Sequence, residues 1–201
     1  GFIVPGHSPT ALSEEFRIVK RYLLLNAFGG RSTPAVERGR AILVCSAHPN
    51  EGKTFCSINL ALSLANERNV EVLLVDADVA KPEILSTLGI GGGSGLIDAL
   101  VHRTDPEQYI IRTSVPNLLV LPAGHQTHRD TELLASSEAQ GVVDQLIARN
   151  PARIVIFDCP PALAASPAAA LAQHMGQVLM VVRADKTSEH DLAEAVKLLS
   201  G

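Results

Sequence analysis

The sequence predicts an α/β fold with a mostly parallel sheet that is covered by helices on both faces. Apolar runs of strand length alternate along the chain with segments whose apolar residues recur at helical spacing. Strands separated by helices need crossover connections, and these connections place neighbouring strands parallel. The runs AILVCS (41–46) and RIVIFDCPP (153–161) are almost continuously apolar, as expected for strands that are buried on both faces.

The length and composition of the chain agree with one globular core. The chain has 201 residues, of which 46% are hydrophobic and 19% are charged. A net charge of −4, an aromatic content of 3% and the lack of Trp give no support for nucleic-acid binding. The three cysteines form no CxxC pair, which disfavours a zinc site and favours a reducing cytosol. No apolar run is long enough to span a membrane.

The amino-terminal part is predicted to be a segment of its own, residues 1–40, ahead of the main domain at 41–201. Apolar residues recur every three or four positions from Leu12 to Ala27, which predicts an amphipathic helix over about 10–28. A polar linker follows at 29–40. Because the chain begins without Met and lacks a signal-peptide pattern, we interpret it as a fragment or a trimmed chain.

The main domain is predicted to alternate strands and helices to its end. The predicted strands are 41–46, 71–78, 108–112, 118–121, 153–161 and 177–184. The predicted helices are 53–67, 82–88, 95–102, 131–150 with a kink near 136–137, 162–172 and 188–200.

The strongest chemical signal is the segment SAHPNEGKT (46–54), which lies between a predicted strand and a predicted helix. This is the context of a phosphate-binding loop, GxxxxGK[ST], with Ala47 in place of the first Gly. Backbone N–H groups and the helix dipole attract phosphates, Lys53 adds a charge near the β- and γ-phosphates, and Thr54 offers a hydroxyl to Mg²⁺. The alternative, a chance Gly-Lys-Thr at a helix start, is weakened by this context. The residues predicted to contact the nucleotide are Ala47, His48, Pro49, Asn50, Glu51, Gly52, Lys53, Thr54 and Phe55. The fold class is therefore a P-loop NTPase.

Acidic residues end two further predicted strands. Asp76 and Asp78 close the run at 71–78, and Asp158 closes the run that begins at 153. Ligands of open α/β sheets bind beyond the carboxyl ends of the strands, so we expect these carboxylates to converge on the phosphate loop. Magnesium and a nucleophile require such acids. The alternative for each acid alone is a turn or a helix cap, and it is strongest for Asp78.

With these motifs in place, the chain resembles the cytoplasmic kinase domain of bacterial protein-tyrosine kinases, the BY-kinases. The matching segments are NEGKT (50–54), LLVDADVAKP (73–82), IVIFDCPP (154–161), GLIDAL (95–100), LPAGHQTHRDTELLAS (121–136) and HMGQVLMVVRADKT (174–187). The last two resemble most the exosortase-associated tyrosine autokinases of exopolysaccharide biosynthesis. The resemblance covers residues 13–200 and implies an ATP- and Mg²⁺-dependent tyrosine autokinase that regulates exopolysaccharide synthesis or export.

The resemblance also implies a role for each site residue. Lys53, Asp76 and Asp78 are the implied catalytic residues, and Thr54, Asp78 and Asp158 are the implied metal ligands. Asp76 and Asp78 would share metal binding and activation of the attacking tyrosine hydroxyl. Which of the two acts as the base stays open at this point.

The first helix carries the implied oligomer interface. The family builds a ring of subunits with an ExxRxxR motif, and here Glu14 and Arg17 match while Lys20 and Arg21 occupy the third position. On residues alone, an ordinary solvated helix face is the better interpretation. The resemblance favours a ring-like homo-oligomer. It further implies a membrane partner, a chain-length regulator of polysaccharide synthesis, and a cytoplasmic location at the inner face of the membrane through that partner.

Two features depart from the family pattern. The family's DxDxR motif has Arg where this chain has Ala80, although Lys81 follows directly. The family also ends in a Tyr-rich tail, whereas the tyrosines here are Tyr22, on the first predicted helix, and Tyr109, near a predicted strand. Neither resembles a residue of a flexible tail, which is where the family is phosphorylated.

Three other functions compete with the kinase prediction. An ATPase switch of the MinD/ParA kind shares the fold but has a second Lys early in the loop, where this chain has His48. An ATP-binding regulatory subunit without phosphotransfer stays open, although the intact Lys53 and Asp158 disfavour it. Dinucleotide binding is disfavoured because GIGGGSG (89–95) follows a predicted helix rather than a strand.

Overall fold

A computed structural model, which describes residues 1–4 and 10–200, places a six-stranded sheet at the centre of the molecule. The strands are β1 Ala41–Ser46, β2 Glu71–Asp76, β3 Ile111–Arg112, β4 Leu118–Leu121, β5 Arg153–Asp158 and β6 Gln177–Val181. Their order is β3-β4-β2-β5-β1-β6. Only β3 and β4 pair antiparallel in the described sheet. The mostly parallel α/β sheet that the sequence predicts is therefore confirmed.

Helices cover both faces of this sheet. They are α1 Ala11–Phe28, α2 Lys53–Ala65, α3 Ile84–Leu88, α4 Leu96–His102, α5 Asp130–Leu134, α6 Ser137–Ala148, α7 Pro167–Ala172 and α8 Glu189–Leu199, with a 3-10 helix at Pro106–Tyr109. One core joins α1, α2 and α3 to alternate strand residues such as Ile42, Leu74 and Ile156. The other joins α4 to α8 to the residues between them, such as Leu43 and Phe157. This alternation follows from the two-residue period of a strand that is buried on both faces.

Helix α1 begins where the sequence predicts it. Thr10 and Ser13 form a capping box, in which the Ser13 N–H donates to Thr10 Oγ1 (3.2 Å) and the Thr10 N–H donates to Ser13 Oγ (2.7 Å). Phe16 and Leu23 pack into the same core as α2, so α1 belongs to the body of the fold. Within the described part of the chain, no helix combines the length and apolar character needed to cross a membrane.

Two regions differ from the sequence prediction for local reasons. The predicted strand 108–112 shortens to Ile111–Arg112 because Pro106 opens a 3-10 helix, and the Asp105 carboxylate caps it by accepting from the Glu107 N–H. The predicted helix 131–150 divides into α5 and α6 because the Ser136 hydroxyl accepts from the Ala139 N–H at 3.2 Å and starts a new helix.

Candidate functional site

The loop between β1 and α2 has the backbone shape that a phosphate site needs. Gly52 has a φ of +96° and Asn50 a φ of +63°, both in the left-handed region. A side chain at Gly52 would strain the backbone, although a Cβ there would meet no atom within 4 Å. Helix α2 starts at the next residue, Lys53, so its free N–H groups and the positive end of its dipole face the loop. This end of α2 is suited to bind an anion.

Side chains that do not line the cleft stabilise the loop through hydrogen bonds. The Ser46 hydroxyl donates to the His48 carbonyl (2.8 Å), and the His48 N–H donates to Glu51 Oε2 (2.9 Å). The other Glu51 oxygen accepts from the Thr187 hydroxyl. His48 Nε2 lies 3.1 Å from Asp191 Oδ2 on α8, and the His48 side chain is 44% exposed, so the ring contacts a helix while one part of it faces solvent. The His48 and Glu51 side chains therefore hold the shape of the loop.

Lys53 lies at the floor of the site and is paired with Asp78. Its Nζ atom is 3.0 Å from Asp78 Oδ2, and the two side chains are 12% and 8% exposed. Burial alone would lower the pKa of Lys53, but the hydrogen bond with Asp78 and the charge of Asp158 outweigh burial and raise that pKa. Lys53 therefore stays protonated and available to a phosphate.

Asp158 is buried beside the first turn of α2. Its Oδ1 atom accepts from the Ser57 hydroxyl at 2.9 Å, and the Thr54 side chain lies close enough to lower the pKa of this carboxyl. Burial raises the pKa of Asp158 to about 6 against the opposing effects of Thr54 and Lys53. The carboxylate is thus held next to the Thr54 hydroxyl, and a cation would relieve the cost of its buried charge.

Asp76 is as deeply buried as Asp158, and both are less exposed than Asp78. It lies opposite Asp158 in the register of β2 and β5 and is 1% exposed. Its Oδ2 atom accepts from the Ile84 N–H at 3.1 Å, while Oδ1 has no hydrogen-bond partner among the described residues. Burial, together with the charges of Asp158 and Asp78, raises the pKa of Asp76 to about 7.

A cleft of about 680 Å³ opens above these groups. Its lining includes the predicted residues Pro49, Asn50, Gly52, Lys53, Thr54, Phe55 and Asp78, and also Phe2, Ala80, Lys81, Pro160 and Pro161. Ala47 is fully buried in the core, and neither it nor Asp76 is among the lining residues. The structure therefore separates Asp78, at the cleft surface, from Asp76, which lies behind it.

The donor set suits a magnesium ion that takes most of its ligands from phosphates and water. Among residues 1–4 and 10–200, no three His, Cys, Asp or Glu side chains converge closely enough to hold a metal by themselves. Mg²⁺ typically takes one or two carboxylates and keeps several waters and phosphate oxygens. Thr54 and Asp158 at the loop, with the unpaired Oδ1 atom of Asp76 nearby, fit that requirement.

The four residues of the predicted oligomer interface do not behave alike. Arg17 pairs with Glu14 at 2.7 Å on the exposed side of α1. Lys20 turns inward, where its Nζ atom lies 2.6 Å from Glu67 Oε1 and donates to the Ser63 carbonyl at 3.1 Å. Arg21 lines an open surface groove. The interface stays a prediction, and Glu14, Arg17 and Arg21 are the residues free to serve it.

The two tyrosines differ in environment. The Tyr109 hydroxyl lies 3.0 Å from the Thr104 hydroxyl, and the ring packs against the core. Tyr22 is 68% exposed on α1.

Sequence reasoning missed Ser57 and Phe2 as site residues. Ser57 is a buried polar residue one helical turn after Lys53, and that position next to the loop was a usable signal. Phe2 gave no signal because its place at the cleft depends on a contact between residues far apart in the chain.

Comparisons with known proteins agree with this geometry. A family model described as an AAA domain (AAA_31) matches residues 39–200. The tyrosine-protein kinase YwqD of Bacillus subtilis is 30% identical over 161 residues, which cover 80% of this chain and 67% of YwqD. EpsB of Ralstonia nicotianae is 34% identical over 158 residues, or 79% of this chain but only 21% of EpsB. The chain thus spans about a fifth of the length of the EpsB relatives.

Solved structures of tyrosine kinase domains are also similar to this chain. The kinase domain of VpsO superposes with a TM-score of 0.75 at 29% identity, and the match covers 95% of this chain and 93% of that domain. A ParA family ATPase from Chlorobium tepidum superposes with a TM-score of 0.62 at 19% identity over 80% of this chain and 66% of the ATPase, which is a likeness of fold alone. The P-loop NTPase fold class is confirmed, and this fold implies nucleotide binding.

Proposed function

This chain belongs to the bacterial tyrosine-protein kinase family, and on that premise we propose that it transfers the γ-phosphoryl group of ATP to tyrosine in a Mg²⁺-dependent reaction. The observation that carries the proposal is the convergence of Lys53, Asp78 and Asp158 at one phosphate loop. Phosphoryl transfer needs positioning and charge neutralisation more than covalent help from the protein.

The binding roles follow from the contacts. The loop N–H groups and Lys53 hold the β- and γ-phosphates, and the Thr54 hydroxyl and the Asp158 carboxylate hold Mg²⁺. Magnesium supplies neutralisation of the phosphate charge when bound. Ser57 orients Asp158 through the hydrogen bond of 2.9 Å, which keeps that carboxylate pointed at Thr54.

We assign Asp78 as the base that accepts the proton of the acceptor tyrosine. It lines the cleft, whereas Asp76 does not, so the tyrosine hydroxyl meets Asp78 first. Phosphates compete with Asp78 for Lys53, and this competition frees the carboxylate to accept the hydroxyl proton as the tyrosine oxygen attacks the γ-phosphorus and ADP leaves. Asp76 lies behind this group, opposite Asp158 in the register of β2 and β5.

We further propose the setting that the family resemblance implies. The chain forms a ring-like homo-oligomer through α1 and works at the inner face of the membrane with a chain-length regulator of exopolysaccharide synthesis. Support for the oligomer comes from the family resemblance, and Glu14 and Arg17 are exposed on α1. Mass measurement of the native protein with and without Glu14→Ala tests it, and an unchanged monomer in both samples contradicts it.

The test of the proposed reaction is phosphotyrosine formation. The protein is incubated with ATP, Mg²⁺ and a synthetic Glu–Tyr copolymer, and the product is read by mass spectrometry. Lys53→Met is expected to lower the yield at least about hundredfold, as loss of a group that stabilises transition-state charge does. Lys197→Met, which removes an exposed lysine on α8, serves as the matched control and is expected to leave the yield unchanged.

A second function, an ATPase switch that transfers phosphate only to water, is compatible with the same fold. It would give ADP in the same experiment with no phosphotyrosine on either the copolymer or the protein. That result would replace the kinase proposal with the ATPase one.

A further inference from the structure

Two aromatic rings meet at the mouth of the cleft. The centroids of Phe2 and Phe55 are 5.7 Å apart, with an interplanar angle of 32°. They are the one aromatic pair in the described part of the chain. Both rings stay about 40% exposed, Phe2 at 42% and Phe55 at 40%. Large aromatic side chains left open at the edge of a polar cleft are typical of a ligand contact.

A buried polar side chain fixes this arrangement. The Asn59 Oδ1 atom accepts from the Ile3 N–H at 2.8 Å, and Asn59 Nδ2 donates to the Phe55 carbonyl at 2.9 Å. Asn59 is fully buried in α2, where a polar group is costly unless its hydrogen bonds are made. One side chain therefore ties the segment that carries Phe2 to the helical turn that carries Phe55.

The pair lies on the wall of the cleft that contains the chemical groups. Phe2 and Phe55 line it together with Lys53 and Asp78, and Pro160 and Pro161 add further apolar surface. The floor of the cleft is charged, and its mouth is aromatic. This division suits a substrate with a charged part and a flat ring.

Building on the proposed function, we propose that Phe2 and Phe55 form a binding site for the planar ring of a substrate, with Asn59 as the positioning residue. Two rings take part in the proposed reaction: the adenine base of ATP and the phenol ring of the acceptor tyrosine. Both present a π-face to stack on an aromatic side chain. The site makes residues 1–4 part of substrate binding.

The test compares Phe2→Ala with two matched variants. Phe2→Tyr keeps the ring, and Val4→Ala trims an exposed side chain of the same segment that is not among the lining residues of the cleft. For each protein we measure the Kd for Mg²⁺–ATP, the Kd for Mg²⁺–tripolyphosphate, which has no base, and the KM for the Glu–Tyr copolymer. Because Phe2 is exposed, Phe2→Ala is expected to keep the melting temperature of the wild type.

Two results support the site and identify its ring. A weakening of ATP binding by about tenfold with unchanged tripolyphosphate binding identifies the adenine base. A rise in the copolymer KM of similar size with unchanged ATP binding identifies the acceptor tyrosine. In both cases Phe2→Tyr is expected to restore the wild-type value, and Asn59→Leu, which keeps the side-chain volume, is expected to reproduce part of the defect.

Results that contradict the inference can be told apart from results that contradict the proposed function. If Phe2→Ala changes neither ATP binding nor the copolymer KM while the wild type forms phosphotyrosine, the inference is wrong and the proposed function survives. If the wild type forms no phosphotyrosine, the proposed function fails. The comparison of ATP with tripolyphosphate then still decides whether the aromatic pair binds a base, and no difference between wild type and Phe2→Ala overturns the inference as well.

Discussion

Strands β2 and β5 are neighbours along their whole length, but the charged residues at their two ends differ in sign. At the amino ends Glu71 lies opposite Arg153, and at the carboxyl ends Asp76 lies opposite Asp158. The first pair is of opposite charge, and the second is of like charge. A neighbouring like charge in a buried site raises the free energy of the folded state, so the carboxyl end carries a cost that the amino end does not.

At the amino end, the buried charge of Arg153 is paired with carboxylates. Arg153 is 4% exposed, and its Nε donates to Glu71 Oε1 at 2.6 Å while its Nη1 pairs with Glu107. The same nitrogen lies 3.4 Å from the Leu146 carbonyl. Burial alone would lower the pKa of Arg153, but the two carboxylates outweigh burial and raise it.

At the carboxyl end, the buried carboxylates lack full compensation. An oxygen of Asp76 has no partner among the described residues, and burial raises the pKa of Asp76 to about 7 and that of Asp158 to about 6. Perturbed carboxyls of this kind cluster at functional sites. The difference shows which end of the sheet is built for folding and which for binding a charged ligand.

The largest effect is expected on stability, from a substitution that removes the ion pairs at the amino end. Arg153→Met leaves the half-buried Glu71 and Glu107 without their partner, so we expect the free energy of unfolding to fall by about 3 kcal/mol. Urea denaturation measures it. Nucleotide affinity per folded molecule should stay at the wild-type value, and a variant as stable as the wild type would show that the network contributes nothing. The triple variant that also carries Glu71→Leu and Glu107→Leu should recover much of the loss, because no buried charge then lacks a partner.

The next effect is on activity at the carboxyl end. Asp158→Asn removes the carboxylate next to Thr54, so we expect Mg²⁺-dependent phosphotyrosine formation to fall about hundredfold or more. The free energy of unfolding should stay the same or rise. Asp144→Asn, which breaks the exposed pair with Arg38, is the control and should change neither quantity appreciably. Normal Mg²⁺ dependence in Asp158→Asn would show that Asp158 is not a metal ligand.

The third effect, which is small over any single pH unit, is a pH dependence of stability that Asp76→Asn removes. The folded-state pKa of Asp76 is raised to about 7 from an ordinary value of 3.8, so between these values the folded protein binds a proton that the unfolded chain has lost. Stability from this group is therefore present at low pH and lost as pH rises through about 7, with a slope of up to about 1.4 kcal/mol per pH unit.

In metal-free protein with EDTA, the difference between Asp76→Asn and wild type should grow in favour of the variant as pH rises across that window. Thermal melts at a series of pH values measure this difference. A difference that does not vary with pH would mean that Asp76 titrates normally.

The parts of the fold that depend on local signals were predictable from sequence. Strand β1 matches its predicted range, and α2 begins at Lys53 as predicted, because an apolar run and a glycine-ended loop determine both. The convergence of Asp158 on the loop was also predictable, since the carboxyl ends of parallel strands share one edge.

The relative depth of Asp76 and Asp78 was not predictable. Two positions apart on a strand they would share one face, but β2 ends at Asp76 and the chain turns before Asp78, which brings only Asp78 to the cleft. Nor does any local pattern link Phe2 to Phe55, because the link runs through Asn59, which is 56 residues away from Ile3. The inward turn of Lys20 likewise depends on Glu67 on a neighbouring segment.

The most direct measurement is the yield of phosphotyrosine on the Glu–Tyr copolymer per folded molecule, compared between Asp158→Asn and Arg153→Met in ATP and Mg²⁺. We expect the wild type and Arg153→Met to give similar yields and Asp158→Asn to give almost none, since only the carboxyl end takes part in the reaction. Formation of ADP without phosphotyrosine by the wild type, or equal yields from the two variants, would contradict the assignment of tyrosine kinase chemistry to this edge of the sheet.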